Sequence, residues 1–348
     1  MRISPAIQRI GLAFLFAGVC AAAPPPPILI GPGITPPKLL HAVDPSYTDD
    51  ALRAGIWGSV AFEMVVDDTG KPTDISLVSP LGYGLDEEAE TAVSQWRFSP
   101  ARKNGKPVSV FAIIQVNFNL RGHAVYIHLE ELRTQFNMAL PHLKDPDKKR
   151  QQKAIETIQK LAKEKFGPAM YLLAQLLQTG EVIPRNSGRA DELMDGAAKA
   201  HYGPALFQVG SLLYELKTST GDAENGLRMI EKAAHFGSYR AQLFMGNRFN
   251  DGRDIPRDPD RASQYFRLCA SMGHTDCEVD LAKLLINTPN RRPHEYLQAI
   301  AWLQLATEQG RPEARDLLGK EMPHLTSEQI SAAQRLQAKL VHKVEVRP

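Results

Sequence analysis

The side chains of this 348-residue chain that could do chemistry are three cysteines, a short run of carboxylates and a scatter of histidines. The histidines fall at no spacing that would gather metal ligands. His201 and His235 each stand two residues before a glycine, a helix-end position where an imidazole faces carbonyl groups. Asp86-Glu87-Glu88 reads as the first turn of a helix, where carboxylates complement the macrodipole, rather than as an acid–base pair. Gly82-Tyr83-Gly84 does not open a helix after a strand in the way a phosphate cradle does. No serine lies in a G-x-S-x-G elbow. Trp57, Trp96 and Trp302 fall at motif or helix-face positions, so core packing is expected of all three. The expectation is a non-enzymatic binding protein with no catalytic residue, metal or cofactor.

The elements around these residues begin with a leader. Arg2 and Arg9 precede an apolar stretch from Ile10 to Val19, followed by Cys20-Ala21-Ala22-Ala23. A basic start, a short apolar core and small residues read as a secretory signal over residues 1–23. The apolar run is well short of the roughly 20 residues a membrane-spanning helix needs. Val19 is not the small residue a lipoprotein signal wants before its cysteine. The protein is therefore expected in the periplasm or secreted, with an inner-membrane anchor as the alternative if the leader stays. With 41 basic and 39 acidic residues the net charge is +2, and no clustered basic face marks a nucleic-acid partner.

Residues 24–38 form a proline-rich linker, with Pro24–Pro27, Gly31-Pro32-Gly33 and Pro36-Pro37. Strand patterning follows over residues 39–121. Val60, Phe62, Met64 and Val66 alternate with Ala61, Glu63 and Val65, and Asp67-Asp68-Thr69-Gly70 supplies a hairpin turn into Thr73–Ser79. Asp86–Gln95 reads as an amphipathic helix presenting Leu85, Ala89, Ala92, Val93 and Trp96 on one face. Asn104-Gly105-Lys106-Pro107 then turns the chain into the longest strand, Val108–Leu120, whose even positions are all apolar. The pattern is strand, strand, helix, strand, with one sheet face against the helix and the other largely wet.

Residues 122–150 read as a helical linker, and a repeat decides the rest. Ala169, Ala205, Ala241 and Cys277 are 36 residues apart, and Ala314 follows after 37. An apolar–small pair trails each anchor: Leu173-Ala174, Val209-Gly210, Met245-Gly246, Leu281-Ala282 and Leu318-Gly319. Ala190, Gly226 and Ala262 form a second series, and Ala198, Ala234 and Ala270 a third. Small residues at fixed places let two helices approach, and a lone helix pair cannot bury its own apolar face, so the pairs stack. Gly167, Gly203, Gly237, Gly273 and Gly310 stand where helices could stop in the left-handed conformation. Residues 151–348 are therefore expected to form an α-solenoid, its last helix opened by the capping-box spacing Thr326-Ser327-Glu328-Gln329.

Two resemblances follow from these residues. Asp44-Pro45-Ser46-Tyr47, Ala51-Leu52-Arg53-Ala54-Gly55-Ile56-Trp57-Gly58, Trp96-Arg97-Phe98-Ser99-Pro100-Ala101 and Asn104-Gly105-Lys106-Pro107-Val108 resemble the TonB C-terminal domain. Members of that family that transduce energy keep a membrane helix and a long proline-rich spacer. Residues 24–40 would reach only about 50 Å as polyproline at roughly 3.1 Å per residue. Ala241-Gln242-Leu243-Phe244-Met245-Gly246, Gly252, Ile255-Pro256-Arg257-Asp258, Ala262 and Ala270 resemble Sel-one-like repeats, relatives of tetratricopeptide repeats. That resemblance implies protein–protein interaction, and its cysteine-rich secreted branch clamps helices through a C-x7-C bridge. Cys269 and Cys277 have this spacing, and with Cys20 leaving in the leader they form an even pair in an oxidising compartment. A disulfide between them is expected, against two packed free thiols.

The fold class expected is a small α+β domain followed by an all-α solenoid. The role expected is an exported scaffold that binds proteins or extended peptides of the cell envelope. A transducer contacting outer-membrane receptors and a regulator of an envelope hydrolase are the alternatives. Partner residues are expected on the closing strand: Ile113, Gln115 and Asn117 on its less apolar face, with Ile114 and Val116 anchoring it to the helix. A second copy of the chain is the competing occupant of that edge.

Overall fold

The computed structural model describes residues 25–28, 30, 33–120, 124–216, 220–289 and 293–340. The leader, Cys20 and the end of the chain lie outside the described residues. The first half contains β1 (Ile34–Thr35), β2 (Lys38–His41), α1 (Asp49–Ala54), β3 (Gly58–Val66), β4 (Pro72–Ser79) and α2 (Leu85–Ser94). It closes with β5 (Arg97–Ser99), β6 (Ala101–Lys103), β7 (Lys106–Val108) and β8 (Val110–Phe118). The principal sheet is β4-β3-β8, antiparallel throughout, and two small sheets pair β1-β6-β7 and β2-β5.

Val60, Phe62, Met64 and Val66 point from β3 onto Leu85, Ala89 and Val93 of α2, and all are buried. Asp67 shapes the β3–β4 turn by accepting from the Thr69 and Lys71 amides at 2.9 and 2.8 Å. Gly70 is required there, because a Cβ would lie 1.9 Å from the Phe98 carbonyl oxygen. Asn104 and Gly105, both at positive φ, close the β6–β7 hairpin as a type I′ pair. The motif aromatics have polar duties too. Tyr47 Oη donates to the Ile56 carbonyl at 2.9 Å, and Trp96 Nε1 donates to the Val43 carbonyl at 2.9 Å.

The second face of the sheet is not wet along β3. Ala61, Glu63 and Val65 are buried, and the Glu63 carboxylate pairs with the His294 imidazole from the helical half. The Phe111 ring stands 6.1 Å from that imidazole. Strand alternation reports only which residues share a face. It does not report that a second domain folds back over part of it.

The helical half runs α3 (Ala124–Ala139), α4 (Lys148–Lys163), α5 (Gly167–Thr179), α6 (Ser187–Lys199), α7 (Gly203–Leu216) and α8 (Thr220–His235). It continues through α9 (Tyr239–Asp251), α10 (Pro259–Ser271), α11 (Thr275–Asn287), α12 (Pro293–Glu308), α13 (Pro312–Glu321) and α14 (Ser327–Leu340). Ala169, Ala205, Ala241, Cys277 and Ala314 are all completely buried, as the repeat register requires. The segment read as a linker joins this core: Leu132, Phe136, Ala139 and Leu143 pack with Ile155 and Ile158 of α4. The capping box is reciprocal, with Thr326 N donating to Gln329 Oε1 at 2.9 Å and Gln329 N to Thr326 Oγ1 at 3.2 Å.

The left-handed helix stops need a correction. One set falls at Lys165, His201, Gly237, Gly273 and Gly310, which share one repeat position, and Gly180 and Gly252 end α5 and α9 in the same conformation. Gly167 and Gly203 instead open the next helices. They are glycines for space, since a Cβ on Gly203 would lie 2.3 Å from the Phe236 carbonyl oxygen. Two different constraints, one conformational and one steric, thus select glycine at neighbouring repeat positions.

Candidate functional site: a free strand edge beside an interdomain dock

Among the strands, β8 pairs with β3 alone, from Val110↔Val66 to Phe118↔Gly58, and Ile28 bridges the start of its other edge at Val110. In such a ladder the N–H and C=O of one residue point the same way and alternate along the strand. The Phe111 amide donates away from β3, so Ile113, Gln115 and Asn117 also direct their backbone groups to the free edge. Among the described residues, no backbone bond from another element reaches those three. Ile113 and Gln115 are exposed side chains, whereas Asn117 Oδ1 accepts from Ser59 Oγ at 2.6 Å and is tied to β3. Val116 is buried and Ile114 packs against the core beside α2.

Trp57 departs from the core packing expected of it. Trp96 and Trp302 are buried, but Trp57 is 50% exposed at the end of the β8 edge. It borders a shallow groove of about 480 Å³ with Ser59, Asn117 and Asn119. A large aromatic left in water beside unpaired backbone groups is a common anchor for a partner. Its position just before β3 is the signal available in the sequence, and local periodicity does not reveal its exposure.

The β4–α2 loop joins the two halves. Gly82, Tyr83 and Gly84 all take positive φ, an uncommon conformation for a tyrosine. Asp86 holds the loop, accepting from the Leu81 amide at 2.7 Å and the Gly82 amide at 2.8 Å. Burial pushes its carboxyl up to about 7, against the opposing pull of those two N–H bonds. Asp86 thus acts within its own loop as well as facing a helix N-terminus. Tyr83 packs edge-on against Phe236, with ring centroids 6.1 Å apart, and its hydroxyl donates to the Phe236 carbonyl at 3.1 Å. The Tyr83 amide donates to the His235 carbonyl at 3.3 Å, and Ser271 Oγ to the Pro80 carbonyl at 3.4 Å. His201, the other helix-end histidine, places Nδ1 3.7 Å from an Asp50 oxygen.

Cys269, at the end of α10, is bonded to Cys277 in α11, with Cα atoms 5.8 Å apart. The bridge spans the turn that carries Ser271 and Met272 under the β4–α2 loop. It lies in the other half of the molecule from Ile113, Gln115 and Asn117, so the residues singled out from the sequence form two separate sites. Beside Cys277, Glu278 is completely buried with Gln309 Nε2 at 3.0 and 3.3 Å from its two oxygens. Burial pushes this carboxyl from its ordinary 4.5 up to about 7, with the Gln309 bond acting in the opposite sense. A carboxyl raised on folding supports the fold below its unfolded pKa and loses that support as pH rises through the folded value. Glu278→Gln should therefore melt with the wild type at pH 4 and above it at pH 8, by about 2 kcal/mol in stability. Thermal melts of both proteins across that window check it.

A further groove of about 810 Å³ runs along α5, α7 and α9, bordered by Tyr171, Phe207, Leu212 and Tyr239 with Asp191 and Glu215. Among the described residues, no group of three or more His, Cys, Asp or Glu side chains could hold a metal ion. Nor is any described helix long and apolar enough to cross a membrane.

A strand–strand–helix–strand unit with an open edge, docked on stacked helix pairs, defines the class: a small α+β domain fused to a helical-repeat solenoid. Residues 43–120 match the family model of the Gram-negative bacterial TonB protein C-terminal domain. Residues 167–200, 240–274 and 292–310 match the Sel1 repeat, so the chain joins a TonB C-terminal-type domain to Sel1 repeats. Protein TonB of Vibrio cholerae is 38% identical over 88 residues, covering 25% of this chain and 36% of that protein. Protein tonB2 of Pseudomonas aeruginosa is 32% identical over 82 residues, covering 23% and 30%. The chain thus spans about a third of the length of these curated relatives. Among solved structures, c5321, a protective antigen of uropathogenic Escherichia coli with an SLR fold, is 22% identical. That match covers 63% of this chain and 47% of the antigen at a TM-score of 0.47. A Sel1 repeat protein from Oxalobacter formigenes is 18% identical, covering 60% and 87% at a TM-score of 0.43.

Proposed function

We propose that this chain is a non-enzymatic interaction protein of the cell envelope, exported to the periplasm, whose TonB-type domain takes an extended segment of a partner protein by strand addition. The observation that carries the reading is the outward backbone of Ile113, Gln115 and Asn117, with the exposed Ile113 side chain among them and exposed Trp57 at one end. An edge strand offers donors and acceptors at alternate residues that an incoming peptide satisfies. Each new bond nets only about 0.5–1.5 kcal/mol, so Ile113, Gln115 and Trp57 supply the selectivity. The Sel1 solenoid presents a second protein-binding face, which makes the whole chain a scaffold. The identity of the captured partner separates this scaffold from an energy transducer contacting outer-membrane receptors and from a regulator of an envelope hydrolase.

The test is Gln115→Pro. Proline at this position removes an N–H that points away from β3, so the sheet keeps its ladder. The full-length variant should fold and melt near the wild type while losing the envelope partners that residues 39–121 capture and keeping those that residues 145–348 capture. Undiminished capture by a folded Gln115→Pro protein rejects strand addition at this edge. A dimeric wild type that becomes monomeric on this substitution would assign the edge to a second copy instead.

A further inference from the structure

The β8 edge is not bare along its whole length. Ile28 lies beside Val110 as an isolated parallel bridge. The Ile28 amide donates to the Ser109 carbonyl at 3.0 Å, and the Phe111 amide donates to the Ile28 carbonyl at 3.1 Å. These are the first rungs of the same edge whose later rungs belong to Ile113, Gln115 and Asn117. The Ile28 side chain packs against the core of the TonB-type domain, while Ile30 is 43% exposed.

The local sequence limits how far this pairing can run. Pro24–Pro27 precede Ile28 and have no amide hydrogens, so they cannot donate to the edge. Pro32 ends the donor series on the other side. Between these prolines stands Ile28-Leu29-Ile30, three aliphatic residues of the kind that suit a strand. Ile28 is thus held at the edge by two backbone bonds in a single bridge, and its chain connection keeps it close to the edge it occupies.

We infer that the stretch of chain bridged through Ile28 is a built-in competitor for the β8 edge, which an incoming partner must displace to pair along the full length of β8. The inference rests on the strand-addition reading above and concerns the regulation of that same site. The tether gives the segment a high effective concentration at the edge, so it lowers the apparent affinity of any peptide that needs the rungs at Ser109 and Phe111. Its two bonds are few enough for a longer peptide, pairing from Phe111 through Asn117, to replace it.

The test uses the full chain and a labelled peptide of residues 24–33, Pro-Pro-Pro-Pro-Ile-Leu-Ile-Gly-Pro-Gly, as probe. Ile28→Pro removes the donor to Ser109 without touching β8. It should bind the probe about 10-fold more tightly than the wild type, because the tethered competitor is gone. The Phe111 amide, protected from hydrogen exchange in the wild type, should exchange fast in Ile28→Pro and become protected again on adding the probe. If Ile28→Pro leaves Phe111 exchange unchanged, the segment does not occupy the edge and the inference fails. If exchange rises but the probe affinity does not, the segment does not compete, and the inference also fails. Either result leaves strand addition standing, which falls separately if Gln115→Pro keeps its partners.

Discussion

Replacing Gly226 by valine should destabilise the solenoid by about 3 kcal/mol and separate α7 from α8. The two helices cross where Gly210 and Gly226 face each other. A Cβ on Gly226 would lie 2.5 Å from the Tyr214 amide nitrogen and 2.7 Å from the Gly210 carbonyl oxygen. Both obstacles are backbone, so no side-chain rotation relieves the clash and the helices must move apart. Buried Ile230 and Ala234 of α8 would then lose part of their packing. Gly319 offers the contrast. It holds the same repeat position as Gly210 and Gly246, yet an added Cβ there meets nothing within 4 Å. Gly319→Ala should be neutral or stabilise α13 by up to about 1 kcal/mol through helix propensity. The Gly226→Val melt should therefore fall well below the wild type while the Gly319→Ala melt stays level or rises. A Gly226→Val protein that melts with the wild type would mean the close crossing does not exist.

Removing the Cys269–Cys277 bridge is the second large effect. The closed loop has a sequence separation of 8, for which the chain-entropy account gives about 2.5 kcal/mol. Both cysteines are completely buried, so serine in their place also brings a hydroxyl into an apolar core. Cys269→Ser/Cys277→Ser should therefore melt well below the wild type, and a reductant should lower the wild-type melt while leaving the variant unchanged. Alkylation of unfolded, unreduced protein should label neither position. Labelling at both in periplasmic material rejects the bridge. The bridge closes the turn on which the β4–α2 loop rests, through Ser271 and Met272. The reduced protein should for that reason also show faster amide exchange at Gly82 and Tyr83.

Much of the helical half was legible because its constraints are local and recur. A helix crossing tolerates only a small residue at its closest point, so Ala169, Ala205, Ala241, Cys277 and Ala314 record the register at every turn of the repeat. The alternation along β3 and β8 likewise records which residues meet α2, since a strand puts successive side chains on opposite faces. The capping box at Thr326 and Gln329 is a contact between residues three apart, which spacing alone can specify. The start of the solenoid was less legible. Leu132 and Phe136 of α3 join its core without the small-residue anchor that marks the later repeats.

What only the tertiary structure decided lies where distant segments meet. The burial of Glu63 against His294, the seat of Tyr83 on Phe236 and the pairing of Ile28 with Val110 each join residues far apart in the chain. Such contacts leave no period in the sequence, because neither partner's neighbours repeat them. The same reason explains Trp57, whose exposure depends on which surfaces the two halves leave uncovered after docking. The elements and repeat register of this protein are thus set by short-range spacing, whereas its free edge is defined by what the rest of the chain does not cover.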